Sequence, residues 1–178
     1  MLQKRPVMPP SSLARAATAR IQVLAPAADL DFLDTQSIVL PVPLTPLEAW
    51  NLMHARPLPG MKLAFRLRDA VSACFGARRI GGISNKAHAN VHPGDKLDFF
   101  LVEAISPEVL TLTVRDKHLD VMTCITCSSG VLSVTSSVKT HNLFGRAYMI
   151  PVRPAHKLIV ALTLKRLRQA LERHRGLG

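Results

Sequence analysis

Aromatic side chains make up only 4% of this 178-residue chain. Its core must therefore come from Leu, Val, Ile, Ala and Met, with few stacking platforms for bases or sugars. Long apolar runs are missing too. The best candidate, Leu158 to Leu164, is cut short by Lys165 and Arg166, against the roughly 18 residues that span a bilayer. Cysteine is confined to Cys74, Cys124 and Cys127, which excludes a disulfide framework. Cys124 and Cys127 form a C-x-x-C, but in a β-like segment residues three apart point to opposite faces, and no second pair completes a zinc site. They read as buried structural thiols. No G-x-S-x-G elbow, Walker loop or G-x-G-x-x-G occurs, so those nucleophile and phosphate-cradling chemistries drop out and no cofactor is implied. His88 and His92 are four apart, yet Pro93-Gly94 and the lack of an acidic cluster argue against a metal-bearing helix face. No metal site is expected.

Acids are missing from one stretch in particular. Residues 1–28 hold Lys4, Arg5, Arg15 and Arg20 with no Asp or Glu, and are broken by Pro6, Pro9, Pro10 and Pro26. Residues 157–178 carry six bases against Glu172 alone, while the body between has 13 bases and 11 acids. The formal net charge of +11 therefore sits at the two ends of a nearly balanced domain. A nucleic-acid reader usually shows a basic stripe together with a reading element; neither an RNA-binding aromatic signature nor a helix-turn-helix is present. Solvated ends that touch anionic surfaces loosely are the plainer reading, with nucleic acid a remote partner. Residues 1–28 read as a basic flexible leader. No secretory apolar core follows Lys4-Arg5, and a cytoplasmic protein is expected.

Residues 29–178 read as a single α+β domain. Hydrophobic residues at 48% suffice for a core in a chain of this size. Gln36 to Val42 predicts a first strand. Thr45, Pro46 and Glu48 supply an N-cap, a first-turn proline and a capping-box acid for a short helix ending before Pro57. A second helix is predicted from about Met61 to Phe75, where Leu63, Leu67, Val71 and Phe75 recur every four residues, with Gly76 as its C-cap. Residues 77–95 read as irregular. Four β runs follow: Leu97 to Ile105, Val109 to Arg115, Lys117 to Cys127 and Val131 to Thr140. Their short connections imply antiparallel pairing. In the last run Leu132, Val134 and Val138 mark a buried face, and Ser133, Thr135, Ser137 and Lys139 a wet one. A long C-terminal helix closes the chain on Val160, Leu164, Leu167 and Leu171; Pro151 and Pro154 predict a kink or a fresh start. The whole is a curved antiparallel sheet wrapped around a C-terminal helix, with two short helices after the first strand. The space between sheet and helix is where a ligand would sit.

Several motifs, each weak alone, occur in a fixed order: Arg68-Asp69 through Phe75-Gly76, Asp116-Lys117-His118-Leu119-Asp120, Thr140-His141-Asn142 with Gly145-Arg146 and Tyr148, and Pro154 with His156. Together they resemble the bacterial domain-of-unknown-function family 2867 (DUF2867), over roughly residues 29–171. The chain departs from that family's usual pattern at Val121 and Ala155, where aromatics are usual, and in a longer 77–95 segment. The resemblance implies a helix-grip, START/Bet v1-like (SRPBCC-type) architecture. It implies no activity.

His118 and Asp120 are two apart on an expected strand and so share a face. A carboxylate beside a histidine raises its basicity, as a general base needs; an exposed ion pair is the structural alternative. Asp116 precedes them at a turn. His141, Asn142 and Arg146 cluster at the strand-to-helix junction, where Asn142 suits an N-cap and Arg146 could hold an anion or one of the carboxylates. Tyr148 and His156 could present polar tips to an apolar cavity; capping and tying the junction is the plainer role. The first expectation is a domain that binds a small apolar, lipid- or aromatic-like molecule through Asp116, His141, Asn142, Arg146, Tyr148 and His156. The alternatives are an enzyme on a small carbonyl or aromatic compound, with His118 as base and Asp120 orienting it, and a peripheral membrane or nucleic-acid partner using the basic ends.

Overall fold

The computed structural model describes residues 21–55, 58 and 86–175. The first 20 residues of the expected leader, the helix expected over Met61–Phe75 with its Gly76 cap, Cys74 and the 77–85 stretch lie outside the described residues. The chain is α+β. A curved six-stranded antiparallel sheet is built from β1 (Phe32–Val39), β2 (Lys96–Leu97), β3 (Phe100–Ile105), β4 (Val109–Arg115), β5 (Leu119–Ser128) and β6 (Val131–Thr140). The order across it is β1-β6-β5-β4-β3-β2. A short helix, α1 (Pro46–His54), follows β1, and a long one, α2 (Leu143–Arg175), closes the chain.

Turn chemistry sets the register. Ser129 and Gly130 both take positive φ (53° and 75°), the two-residue hairpin twist that matches the twist of the flanking strands, and they pair Val131 with Ser128. Asp116 Oδ1 accepts from the backbone N–H of His118 (2.7 Å) and of Leu119 (3.0 Å), an Asx-type turn that delays β5. The expected strand from Lys117 therefore starts at Leu119, and His118 lies in the turn. The expected Leu97–Ile105 strand is divided at Asp98-Phe99, where Asp98 has φ 57°, into β2 and β3, and β3 is bulged between Val102 and Ala104. The first strand begins four residues before its expected start, because the ladder with β6 opens at Phe32 opposite Val138. Backbone hydrogen bonds are indifferent to the Asp34 side chain, so an acid at that point does not delay the strand.

α1 starts as the capping box requires. Thr45 Oγ1 accepts from the Glu48 N–H (3.3 Å) and Glu48 Oε2 from the Thr45 N–H (2.8 Å), with Pro46 at the first position. Thr45→Ala removes one partner of the box, and a loss of about 1 kcal/mol is expected as a lower urea midpoint with unchanged slope. Trp50 of α1 is buried and meets the Phe100 ring edge-on at 5.6 Å.

α2 runs unbroken through Pro151 and Pro154 rather than restarting. Each proline removes one i→i−4 bond, to the carbonyls of Ala147 and Ile150. Both of those residues are on the exposed side of the helix, where a freed carbonyl can turn to water instead. The helix packs on β1 and β6 and against α1. Its buried residues are Gly145, Met149, Leu164, Leu167 and Leu171, and the partly covered Val152, His156 and Val160 continue the same three-and-four spacing.

The core divides in two. The larger cluster joins Ala49, Trp50, Leu97, Val102, Leu110, Leu112, Ile125, Leu132 and Val134 with Leu164, Leu167 and Leu171. The smaller joins Phe32, Leu119, Val138 and Met149, with Val121, Tyr148 and Val152 against it. The opposite sheet face, expected to be wet on β6, is partly covered: Thr135 and Ser137 are buried. The segment from Ile21 crosses it, with Gln22 N–H on Cys124 Sγ (3.4 Å), Thr111 Oγ1 donating to Gln22 Oε1 (2.9 Å) and Leu24 N–H on Ser137 Oγ (3.1 Å).

Candidate functional site

Most of the residues singled out from the sequence gather where β6 passes into α2. Asn142 is the N-cap: its Oδ1 accepts from the Gly145 N–H (3.0 Å). Its Nδ2 donates to the Lys117 carbonyl (3.0 Å), and its Nδ2 and Oδ1 lie 3.0 and 3.2 Å from His118 Nδ1, which accepts from the one or donates to the other according to the ring tautomer. The His118 ring lies 4.6 Å from Phe144, and Phe144 stacks towards Tyr148 at 6.3 Å. Gly145 touches this turn so closely that a Cβ there would collide with the His118 carbonyl oxygen. Asp116, His118, Asn142 and Gly145 thus lock the β4–β5 turn to the head of α2.

Asp120 takes a different partner from the expected one. On β5 the residues turned towards α2 are Leu119, Val121, Ile125 and Cys127, all in the core clusters. Alternation puts Asp120 on the opposite face, where Oδ1 lies 3.2 Å from His141 Nε2. The Asp120–His141 pair therefore does not line the space beneath α2. Arg146 is exposed on α2, on the side of Asp31. Asp31 Oδ2 accepts from the Thr140 N–H (2.7 Å) and Oγ1 (2.8 Å). The backbone bond from Thr140, then its hydroxyl, then the nearby charges of Arg146 and Arg153 hold the Asp31 carboxyl below its ordinary range, against some desolvation. This cluster ties β1 to α2, and Asp31 and Arg153 escaped the sequence reading.

A second group lies inside the layer. Ser136 is opposite Asp34 on one side and Thr123 on the other, so the three form a polar row across β1, β6 and β5, facing α2. One step along the strands the facing residues are Phe32, Val138 and Val121 of the smaller cluster on one side, and Val134 and Ile125 of the larger cluster with the polar Gln36 at the β1 edge on the other. The row separates the two cores. His156 takes the matching place on α2, between Val152 and Val160 in the buried stripe. Its ring meets Phe32 edge-on at 5.7 Å. Two atoms here are sealed from solvent without a hydrogen-bond partner, Ser136 Oγ and His156 Nε2. At the β1 edge, Asp34 accepts from Gln36 Nε2 (2.8 Å) and lies 3.5 Å from Lys157 Nζ, while Gln36 Nε2 also reaches the Lys157 carbonyl (3.0 Å).

Burial pushes His156 below the usual histidine range, and the Asp34 carboxylate opposes that only in part, so the ring is neutral near pH 7. A neutral ring with one unpartnered nitrogen can offer a donor or an acceptor, as can the unpartnered Ser136 hydroxyl in the same layer. Thiol chemistry is disfavoured. Burial raises Cys124, and burial, followed by the Glu48 charge, raises Cys127 to about 11; the two lie on opposite faces, and both are free. Among the described residues no three His, Cys, Asp or Glu converge as a metal centre needs, and no helix is long and apolar enough to cross a membrane.

Of the expected site residues, then, Asp116, His118, Asn142 and Tyr148 come together as a structural junction, and Asp120 and His141 pair on the far face. Arg146 joins Asp31, and His156 alone enters the interior row. A protein-family model described as "Protein of unknown function (DUF2867)" matches residues 26–163, which takes in every strand, α1, and α2 as far as Thr163. No curated protein and no solved structure matches.

Proposed function

We propose that this chain, which belongs to the DUF2867 family, is a binding domain that holds a small, mostly apolar molecule between its sheet and α2. The molecule's single polar end is met by His156 and Ser136. On this reading the sheet and α2 act as a helix-grip arrangement, in which a curved sheet and a closing helix enclose the ligand. The observation that carries the reading is the pair of orphaned polar atoms. A buried polar group left without a partner costs about 1–3 kcal/mol, and native interiors rarely keep two of them in one polar row without a water or ligand between. Mostly apolar walls on both sides of the row, polar only at Gln36 on the β1 edge, favour a molecule whose bulk is hydrocarbon or aromatic. The alternative of a His118–Asp120 general base draws less support, since Asp120 is held by His141 on the face away from α2.

Native mass spectrometry of the freshly purified protein, beside its denatured mass, tests the reading. A retained adduct of roughly a few hundred daltons is expected, and it should be depleted in Ser136→Ala. An adduct undiminished in both Ser136→Ala and His156→Leu would overturn it, as would a clean apo mass in protein supplied with its own cell's lipid extract.

A further inference from the structure

α2 has a second apolar stripe, opposite the one it buries. Leu143, Ala147, Ile150, Pro154, Leu158 and Leu162 follow one another at steps of three and four, all exposed. The large ones are far outside any core: Leu143 is 80% exposed, Ile150 72%, Leu158 59% and Leu162 40%. Single exposed leucines are ordinary, but a row along one helix face marks an interaction surface. At 1.5 Å per residue it is about 29 Å long.

Charge identifies the occupant. Between residues 143 and 171 the chain has Arg146, Arg153, Lys157, Lys165, Arg166 and Arg168 and no Asp or Glu. Arg146, Arg153 and Lys157 run along one flank of the stripe, and Lys165 and Arg166 close its C-terminal end. All five are exposed, although Lys157 also reaches Asp34. Two copies packed through this stripe would bring these bases together, with Asp31 and Asp34 already facing Arg146, Arg153 and Lys157 within each chain and no carboxylate on the helix face itself to answer a second set. An anionic lipid surface answers both features, taking the leucines among its acyl chains and the bases among its headgroups. We infer that the outward face of α2 docks on anionic membrane surfaces, lying in the interface rather than crossing it. This places the closing element of the sheet–helix layer at the lipid, but it does not rest on the ligand reading.

The test is flotation of the full chain with phosphatidylcholine vesicles, with and without phosphatidylserine. Binding is expected only with phosphatidylserine, weakening as salt rises. The leader's bases are untouched in Ile150→Asp/Leu158→Asp and in the uncharged Ile150→Ser/Leu158→Ser, so these variants report on the stripe alone. Both replace exposed residues and should keep the parent melting temperature. The serine pair should bind about tenfold or more weakly, and the aspartate pair should not float. Undiminished flotation of both pairs assigns the binding to the leader and overturns the inference. So does absence of binding together with a concentration-dependent dimer that the aspartate pair abolishes, which would make a second copy the occupant.

Discussion

Gly145→Ala is expected to destabilise the protein by about 3 kcal/mol or more. A methyl at this position meets the backbone oxygen of His118 head-on and comes within 3.2 Å of Thr140 Cβ. Neither is the tip of a flexible side chain. The oxygen belongs to the turn that Asp116 and Asn142 both pin, and it also accepts the His141 N–H at 2.8 Å. Relief therefore requires α2 to lift from the sheet or the β4–β5 turn to open, and either movement breaks the N-cap. In an unhindered helix the same change would stabilise by up to about 1 kcal/mol, so the sign itself is diagnostic. A melting temperature lowered by roughly 6–12 °C is the expected result; an unchanged or raised one would show that the helix head does not bear on the turn. His118→Ala, which keeps the backbone oxygen, should cost far less.

His156→Leu is expected to act in the opposite sense. It replaces a ring that has an unpartnered nitrogen by an apolar side chain matching Val152 and Val160 on either side. Removing an unsatisfied buried group, rather than one of its partners, is the favourable case. The ligand-free variant should be more stable by about 2 kcal/mol, or roughly 4–8 °C in melting temperature, while losing the adduct sought above. Stability gained together with binding lost marks a site whose polar groups serve something other than the fold. A lower melting temperature would mean that His156 is satisfied in solution and that the polar row is structural.

The same variant changes the response to acid. Burial depresses His156 in the folded chain, and His54 is depressed too, by burial first, against the Trp50 carbonyl and the Asp98 charge. Both gain their proton near the ordinary 6.5 once unfolded. The unfolded chain thus binds more protons in the window below about 6.5, and the stability present above it falls as the pH drops. His156→Leu should make that fall shallower and leave the part due to His54. Asp31 and Glu48 are also depressed, from ordinary values of 3.8 and 4.5. Their contribution is lost only at lower pH, in a window both proteins share.

Much of the fold was legible because its signals are local. The capping box of α1 lies within four consecutive residues, and β4 and β6 were bounded by their own turn residues at both ends. The apolar spacing of α2 needs nothing beyond itself. Prolines misled there because the residues whose carbonyls they orphan, Ala147 and Ile150, lie on the exposed side of the helix, which depends on how the helix lies. His118 was misplaced by a single carboxylate: Asp116 caps two N–H groups and pushes the start of β5 past it, and the partner of Asp120 changed with it. The interior polar row was not legible at all. Asp34, Thr123 and Ser136 are ordinary polar residues in three separate strands, and they become neighbours only through the register of β6 between β1 and β5. His156 joins them because α2 crosses that row and not another. Short-range order, set by backbone geometry and the next few side chains, is written in the sequence; which face of each strand meets which turn of the helix is decided by the packing of the whole.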